Sequence, residues 1–61
     1  MIKVYLYRNG SALLNPAEIS NIKAAGASSG WHGIRSFIKM TTGETLECLD
    51  SVEEIERKLN V

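Results

Sequence analysis

The chain has 61 residues, one cysteine, one histidine and a formal net charge of zero at pH 7. A single cysteine excludes an internal disulfide, and with a single histidine it cannot supply the four ligands of a structural zinc site. So short a chain buries only about 60% of its unfolded surface, and we therefore expect self-association to extend the core. No apolar run approaches the roughly 18 residues of a membrane span, and we expect no signal peptide, because residues 1–8 alternate and lack its apolar block and cleavage site. We expect a cytoplasmic protein.

The charges are divided unevenly along the chain. Residues 1–40 carry five Lys or Arg residues and one Glu, whereas residues 41–61 carry two basic and six acidic residues. One interpretation is an anionic partner for the basic part. The other is that a basic sheet and an acidic helix attract each other within the fold.

The first element is a half-buried strand, because apolar and other residues alternate with a period of two. The inward set would be Ile2, Val4 and Leu6, with Lys3, Tyr5 and Tyr7 on the other face. Asn9-Gly10 then predicts a hairpin with a type I′ turn, whose two central positions both need positive φ. The second strand is expected at residues 11–14.

The segment from Asn15 to Ala25 has two interpretations. Asn15 would cap a helix, Pro16 would occupy its first position and Glu18 would complete a capping box. Ile19 and Ile22 are three residues apart, so local signals favour a helix that Gly26 could end. The alternative is a single helical turn followed by a strand.

A Gly- and Ser-rich loop, residues 26–33, separates this segment from a β-hairpin. The following strand would place Arg35, Phe37 and Lys39 on one face, opposite Ile34, Ser36, Ile38 and Met40. Thr42-Gly43 predicts the turn. The returning strand at residues 44–49 would have Leu46 and Cys48 on one face and Thr45, Glu47 and Leu49 on the other.

The last element is a helix that starts with a capping box formed by Ser51 and Glu54. Its apolar stripe, Val52, Ile55 and Leu59, would pack against Val4, Leu6, Ile38 and Leu46. Glu53–Arg57 and Glu54–Lys58 have the i,i+4 spacing of favourable ion pairs. The predicted fold is a single α+β module over residues 1–61. It is a small antiparallel sheet of four to five strands with one C-terminal helix packed on it.

None of the chemical motifs that we considered points to catalysis. A Walker A loop requires Lys after its last glycine, whereas Trp31 and His32 follow Gly30, and the glycine spacing does not fit a dinucleotide fingerprint. Cys48 and His32 could be a nucleophile and a base, but Cys48 alternates in phase with Leu46, which favours the core. We therefore expect a protein without enzymatic activity, cofactor, metal or small-molecule substrate.

Binding is the expected function, and the sequence offers two surfaces for it. A protein partner, with a second copy of the chain as the first candidate, would use the loop tryptophan or an exposed strand edge. The residues assigned to it are Trp31, His32, Arg35, Tyr5 and Tyr7. The alternative is a small nucleic-acid-binding regulator with basic and aromatic side chains on one sheet face. That set is Arg8, Lys23, Arg35, Lys39 and Phe37.

The order of short motifs resembles the small bacterial flagellar FlbD family over nearly the whole chain. The residues that carry the resemblance are Leu14-Asn15-Pro16 with Ile19 and Ile22, Thr41-Thr42-Gly43-Glu44, and Ser51-Val52-Glu53-Glu54-Ile55. The second half is also similar to the LytTR DNA-binding domain. The resemblance implies that residues 19–24 form a strand after one helical turn, and it implies a flagellar role. Because the 26–33 loop is longer than in that family, a phage or mobile-element protein of the same fold is an equal alternative.

Overall fold

A computed structural model describes residues 1–8, 10–26 and 33–60, which form one antiparallel sheet and one α-helix. This confirms the predicted α+β fold with a C-terminal helix. The strands are β1 (Ile2–Leu6), β2 (Gly10–Leu14), β3 (Ile19–Ala24), β4 (Ser36–Met40) and β5 (Thr45–Cys48). A single 3-10 turn (Pro16–Glu18) precedes β3, and the helix is α1 (Val52–Leu59).

The sheet has the strand order β2-β1-β5-β4-β3, so the last strand of the chain lies in the middle. Strand β4 pairs with β5 over four positions and with β3 over five. Strands β1 and β5 share only a short pairing, in which Leu6 lies opposite Cys48. The two outer strands are therefore β2 and β3, and the shortest contact between neighbouring strands is at the centre of the sheet.

The first hairpin differs from the predicted two-residue turn. Leu6 lies opposite Gly10, so three residues separate the paired ends, and Gly10 begins β2 with a φ of +76°. A two-residue turn at Asn9-Gly10 would have placed Leu13 opposite Leu6, on the core face. In the observed register Leu14 lies opposite Ile2 instead. Leu14 is consequently 7% exposed and Leu13 is 65% exposed.

The helix that local signals favoured after Asn15 is wrong, and a turn followed by a strand takes its place. Asn15 does cap the turn, since its Oδ1 accepts a hydrogen bond from the Ala17 N–H at 3.1 Å. The turn ends at once because the Ile19 N–H bonds back to the Pro16 carbonyl and Ile19 is extended. Thr41 N–H then donates to the Glu18 carbonyl at 2.8 Å, which ties this corner to the end of β4.

A β-bulge explains why β3 looked helical in sequence. Ile19 lies opposite Met40, and Asn21 lies opposite the neighbouring Lys39, so the register shifts by one residue between them. In a regular strand, residues three apart point to opposite faces. The extra residue lets Ile19 and Ile22 both pack against the core. Their spacing of three is therefore compatible with a strand as well as with a helix.

The core lies between one sheet face and α1. Ile55 of the helix is fully buried, as are Val4, Ile38 and Cys48 of the sheet. Leu46 and Leu59 are half-buried and pack at the margin of this cluster. The predicted packing of the helix stripe on the sheet is confirmed for Ile55 and Leu59. Free cysteine often occupies such positions, and Cys48 belongs to the core as predicted.

The capping box at the start of α1 forms as predicted. The Ser51 hydroxyl accepts from the Glu54 N–H at 3.2 Å, and Glu54 Oε1 accepts from the Ser51 N–H at 3.0 Å. The ion pairs among the described residues are Arg35–Glu54 and Lys58–Asp50, so neither predicted pair within the helix is present. No helix in the described part of the chain is long and apolar enough to cross a membrane.

Candidate interaction surface

The sheet face opposite α1 has no described element packed on it, and we call it the open face. Cross-strand register defines its residues, because side chains directly opposite each other point to the same face. Lys23 lies opposite Phe37 and Phe37 opposite Glu47, while Asn21 lies opposite Lys39 and Lys39 opposite Thr45. On the β1 and β2 side the face carries Lys3, Tyr5, Ser11, Leu13 and Leu49.

The half of the open face near β3 is basic and aromatic. A shallow depression of about 340 Å³ is lined by Asn21, Lys23, Phe37, Lys39 and Thr45. The half-buried Phe37 lies directly opposite Lys23 on one side and Glu47 on the other, and Lys39 follows it two residues later on the same face. Neither lysine forms an ion pair with another described residue. Three residues of the predicted nucleic-acid set are thus brought together here. Lys23 reaches this place only because residues 19–24 form a strand.

The half of the open face near β2 is apolar. Tyr5, Leu13 and Leu49 are three of the four large apolar residues exposed in the described chain, at 48%, 65% and 38%. The Leu49 N–H donates to the Tyr5 carbonyl at 2.7 Å, which makes these two residues cross-strand neighbours. Leu13 is diagonal to Tyr5, because Ser11 lies opposite Tyr5.

Two ammonium groups approach the Tyr5 ring. Lys3 Nζ and Lys58 Nζ each lie 5.5 Å from the ring centroid, within cation–π distance. Lys58 comes from the helix and also donates to Asp50 and to the Lys3 carbonyl. The ring is therefore held in place at the margin of the apolar half while about half of it stays accessible to a partner.

The other described residues of the two predicted sets, Tyr7, Arg8 and Arg35, belong to neither group, although Tyr7 lies opposite Glu47 on the open face. The Arg35 guanidinium lies 3.9 Å from the Glu54 carboxylate, which directs it towards the helix. Arg8 lies 5.6 Å from the Tyr7 ring in the first hairpin and lines a second depression of about 140 Å³ with Glu44 and Glu47. Trp31 and His32 lie outside the described residues.

Sequence reasoning missed Leu13 and left Leu49 unassigned to any site. Alternation from Leu46 and Cys48 placed Leu49 on the outer face, and that signal was sufficient to identify it. Leu13 and Leu14 could not be distinguished in this way, because the length of the preceding turn decides which one faces the core. Asn21 and Thr45 join the basic depression through the pairing of β3, β4 and β5.

The chemistry of the buried groups does not resemble a nucleophile site. Burial, with a smaller contribution from the nearby Asp50 carboxylate, raises the pKa of the Cys48 thiol to about 11, so the thiol is protonated at neutral pH. Its Sγ lies 3.8 Å from the Leu46 carbonyl oxygen. Within residues 1–8, 10–26 and 33–60, no three His, Cys, Asp or Glu side chains are grouped as metal ligands.

Comparisons with known proteins gave no match. No protein-family model matches the chain, and neither the curated proteins nor the solved structures gave a significant match. The resemblance to the FlbD family and to the LytTR domain therefore stays a prediction from the sequence motifs.

Proposed function

We propose that this chain is a non-enzymatic interaction module that binds an acidic protein segment across its open face. The observation that carries the proposal is the group of exposed apolar side chains Tyr5, Leu13 and Leu49 beside a basic depression. A sheet face that displays several large apolar side chains together is typical of a protein contact, whereas scattered single ones are not.

Charge complementarity gives the chemistry of the partner. Among the described residues assigned to the open face, Lys3, Lys23 and Lys39 are basic and Glu47 is acidic, although the chain as a whole is neutral. Acidic side chains of a partner would meet these lysines at the rim, and its apolar side chains would cover Tyr5, Leu13 and Leu49. Apolar contacts would supply most of the affinity, while the lysines would favour acidic over basic partners.

A site-specific photo-crosslinker in the cells that encode the protein tests this proposal. The reactive side chain replaces Leu49 on the open face or, as the matched control, the exposed Glu56 on the outer side of α1. We expect a discrete adduct with another protein from position 49 and none from position 56, and Tyr5→Ala should reduce the adduct at position 49. Equal adducts from both positions, or no protein adduct from position 49, would overturn the proposal.

A second candidate, single-stranded nucleic acid, is favoured by one observation. Phe37 lies opposite Lys23 and two residues before Lys39 on the same face, and an aromatic ring beside cations is how many proteins stack an unpaired base while neutralising phosphates. Fluorescence anisotropy with a labelled oligothymidylate at about 50 mM salt tests it, since phosphate contacts are strong at low salt. Binding that Lys39→Ala weakens and Arg57→Ala does not would support this candidate. No binding at that salt would remove it.

A further inference from the structure

We propose that strand β2 pairs antiparallel with β2 of a second copy, which would join the two sheets into one of ten strands. This inference does not depend on the partner of the open face, because it concerns the backbone edge of the sheet. It rests on three features of β2. Some of its backbone N–H and C=O groups point outward, it has no charged residue, proline or bulge that would block strand pairing, and its sequence is complementary to a second copy of itself.

The direction of the backbone groups follows from the bonds that β1 makes on its other side. The Tyr5 carbonyl accepts from Leu49 and the Tyr7 N–H donates to Glu47, so both tyrosines direct their backbone groups towards β5. Successive residues of a strand bond to alternate sides. Val4 and Leu6 therefore bond to β2, where Ala12 and Gly10 lie opposite them. This leaves the N–H and C=O groups of Ser11 and Leu13 directed outward.

The outer edge of β2 lacks the features that usually block strand addition. Its sequence is Gly-Ser-Ala-Leu-Leu, without charge or proline, and its five pairs with β1 are in regular register. The other outer strand, β3, has a bulge near Ile19 and carries Lys23. Bulges and lysines on outer strands are devices that prevent edge-to-edge pairing. The sheet is thus protected at one edge and open at the other.

Strand β2 is complementary to itself about a two-fold axis at Ala12. In this register Ser11 and Leu13 of each copy form hydrogen-bonded pairs with Leu13 and Ser11 of the other, giving four backbone hydrogen bonds. Ala12 then lies opposite Ala12 of the second copy, so no bulky or charged side chains oppose each other. On the open face, the exposed Leu13 would come to lie between Lys3 of its own copy and Ser11 of the second. A second copy fits this edge without any unfavourable contact along β2.

Sedimentation of the full chain across a concentration series tests the dimer. The expected result is a concentration-dependent dimer that Leu13→Lys weakens by at least about tenfold, because lysine on an outer strand opposes pairing. Ser20→Lys adds the same charge to β3 and serves as the matched control, with dimerisation unchanged. Circular dichroism of each variant confirms that it is folded. A wild-type chain that stays monomeric at high micromolar concentration, or a dimer equally stable in Leu13→Lys, overturns the proposal.

A disulfide tests the register separately, without placing a charge on the strand. Ala12→Cys would lie opposite its own copy at a non-hydrogen-bonded pair, where the Cα separation suits a disulfide. We expect rapid formation of a crosslinked dimer on oxidation, seen on a non-reducing gel and lost when reductant is added. Asn21→Cys on β3 is the control, which should remain monomeric on the same non-reducing gel. A dimer that persists while position 12 fails to crosslink would place the interface elsewhere and contradict the proposal.

Discussion

The Lys58 ammonium lies 3.1 Å from Asp50 Oδ2. These two side chains form hydrogen bonds with the backbone of β1 at positions that β5 is too short to reach. Strand β5 ends at Cys48, and the last backbone bond along this seam is from Leu49 N–H to the Tyr5 carbonyl. Beyond it, Asp50 Oδ2 accepts from the Tyr5 N–H at 3.2 Å, and Lys58 Nζ donates to the Lys3 carbonyl at 2.7 Å.

This arrangement connects three parts of the fold through one residue, Asp50. Asp50 is buried, and its backbone carbonyl also accepts from the Ser36 hydroxyl at 2.7 Å, which links β4 to the start of the helix. Buried backbone groups without a partner are costly, so a strand that ends early needs substitutes for its donors and acceptors. Asp50 supplies the acceptor and Lys58 the donor.

Removing the Asp50 carboxylate should destabilise the fold strongly. Asp50→Ala leaves the Tyr5 N–H and the Lys58 ammonium without this acceptor, and we expect the free energy of unfolding to fall by about 2 to 3 kcal/mol. Asp50→Asn keeps an acceptor and should cost about 1 kcal/mol. Urea unfolding followed by circular dichroism measures both. Glu56→Gln, on the exposed side of the helix, should stay within about 0.5 kcal/mol of the wild type.

Lys58 and Asp50 should be energetically coupled. Lys58→Met removes the donor to both Asp50 and the Lys3 carbonyl, and we expect a loss of about 1 kcal/mol because Lys58 is one-third exposed. Combined with Asp50→Asn in a double-mutant cycle, the two losses should be non-additive by at least about 0.5 kcal/mol. Arg57→Met changes the neighbouring helix position as a control. Strict additivity would show that the pair contributes nothing as a unit.

The three-residue turn of the first hairpin should be visible in the energetics of two adjacent leucines. Leu14→Ala removes a buried side chain and should cost about 2 to 3 kcal/mol, whereas Leu13→Ala should change stability by less than about 0.5 kcal/mol. Urea unfolding at low protein concentration isolates the effect on the single chain. Because the two substitutions are chemically identical, each is the control for the other. The opposite ranking would indicate the register of a two-residue turn.

The elements that could be predicted from the sequence are those whose signals are local and agree with one another. The capping box of Ser51 and Glu54 fixes where α1 begins, and Ile55 and Leu59 show which side is buried. Inward and outward positions alternate without interruption from Ile34 to Met40, a stretch that contains β4. At each of these places, propensity, spacing and capping indicate the same structure, so no tertiary information was needed.

Local signals did not identify strand β3, which only the family resemblance implied, and they gave the wrong register for β2, because one inserted residue decides each of them. The bulge after Ile19 gives Ile22 a helical spacing, and only pairing with β4 shows that it belongs to a strand. The same dependence limited prediction of the site. Alternation along one strand was sufficient to predict that Phe37 and Lys39 lie on the same face. That Lys23 lies beside them is seen only from the pairing of β3 with β4.

The buried thiol should make the fold sensitive to alkaline pH. Burial raises the Cys48 pKa from its ordinary value of 9.0 to about 11, so the folded state disfavours the thiolate. The protonated thiol therefore makes its full contribution to the free energy of unfolding below about pH 9. This contribution is lost as the pH rises from 9 to 11, which lowers the free energy of unfolding by about 2 to 3 kcal/mol at most. Urea unfolding of the wild type and of Cys48→Val across this range measures the effect, since all other groups are the same in the two proteins. Above pH 9 the free energy of unfolding of the wild type should fall relative to that of Cys48→Val. A difference between the two proteins that stays constant up to pH 11 would contradict the prediction.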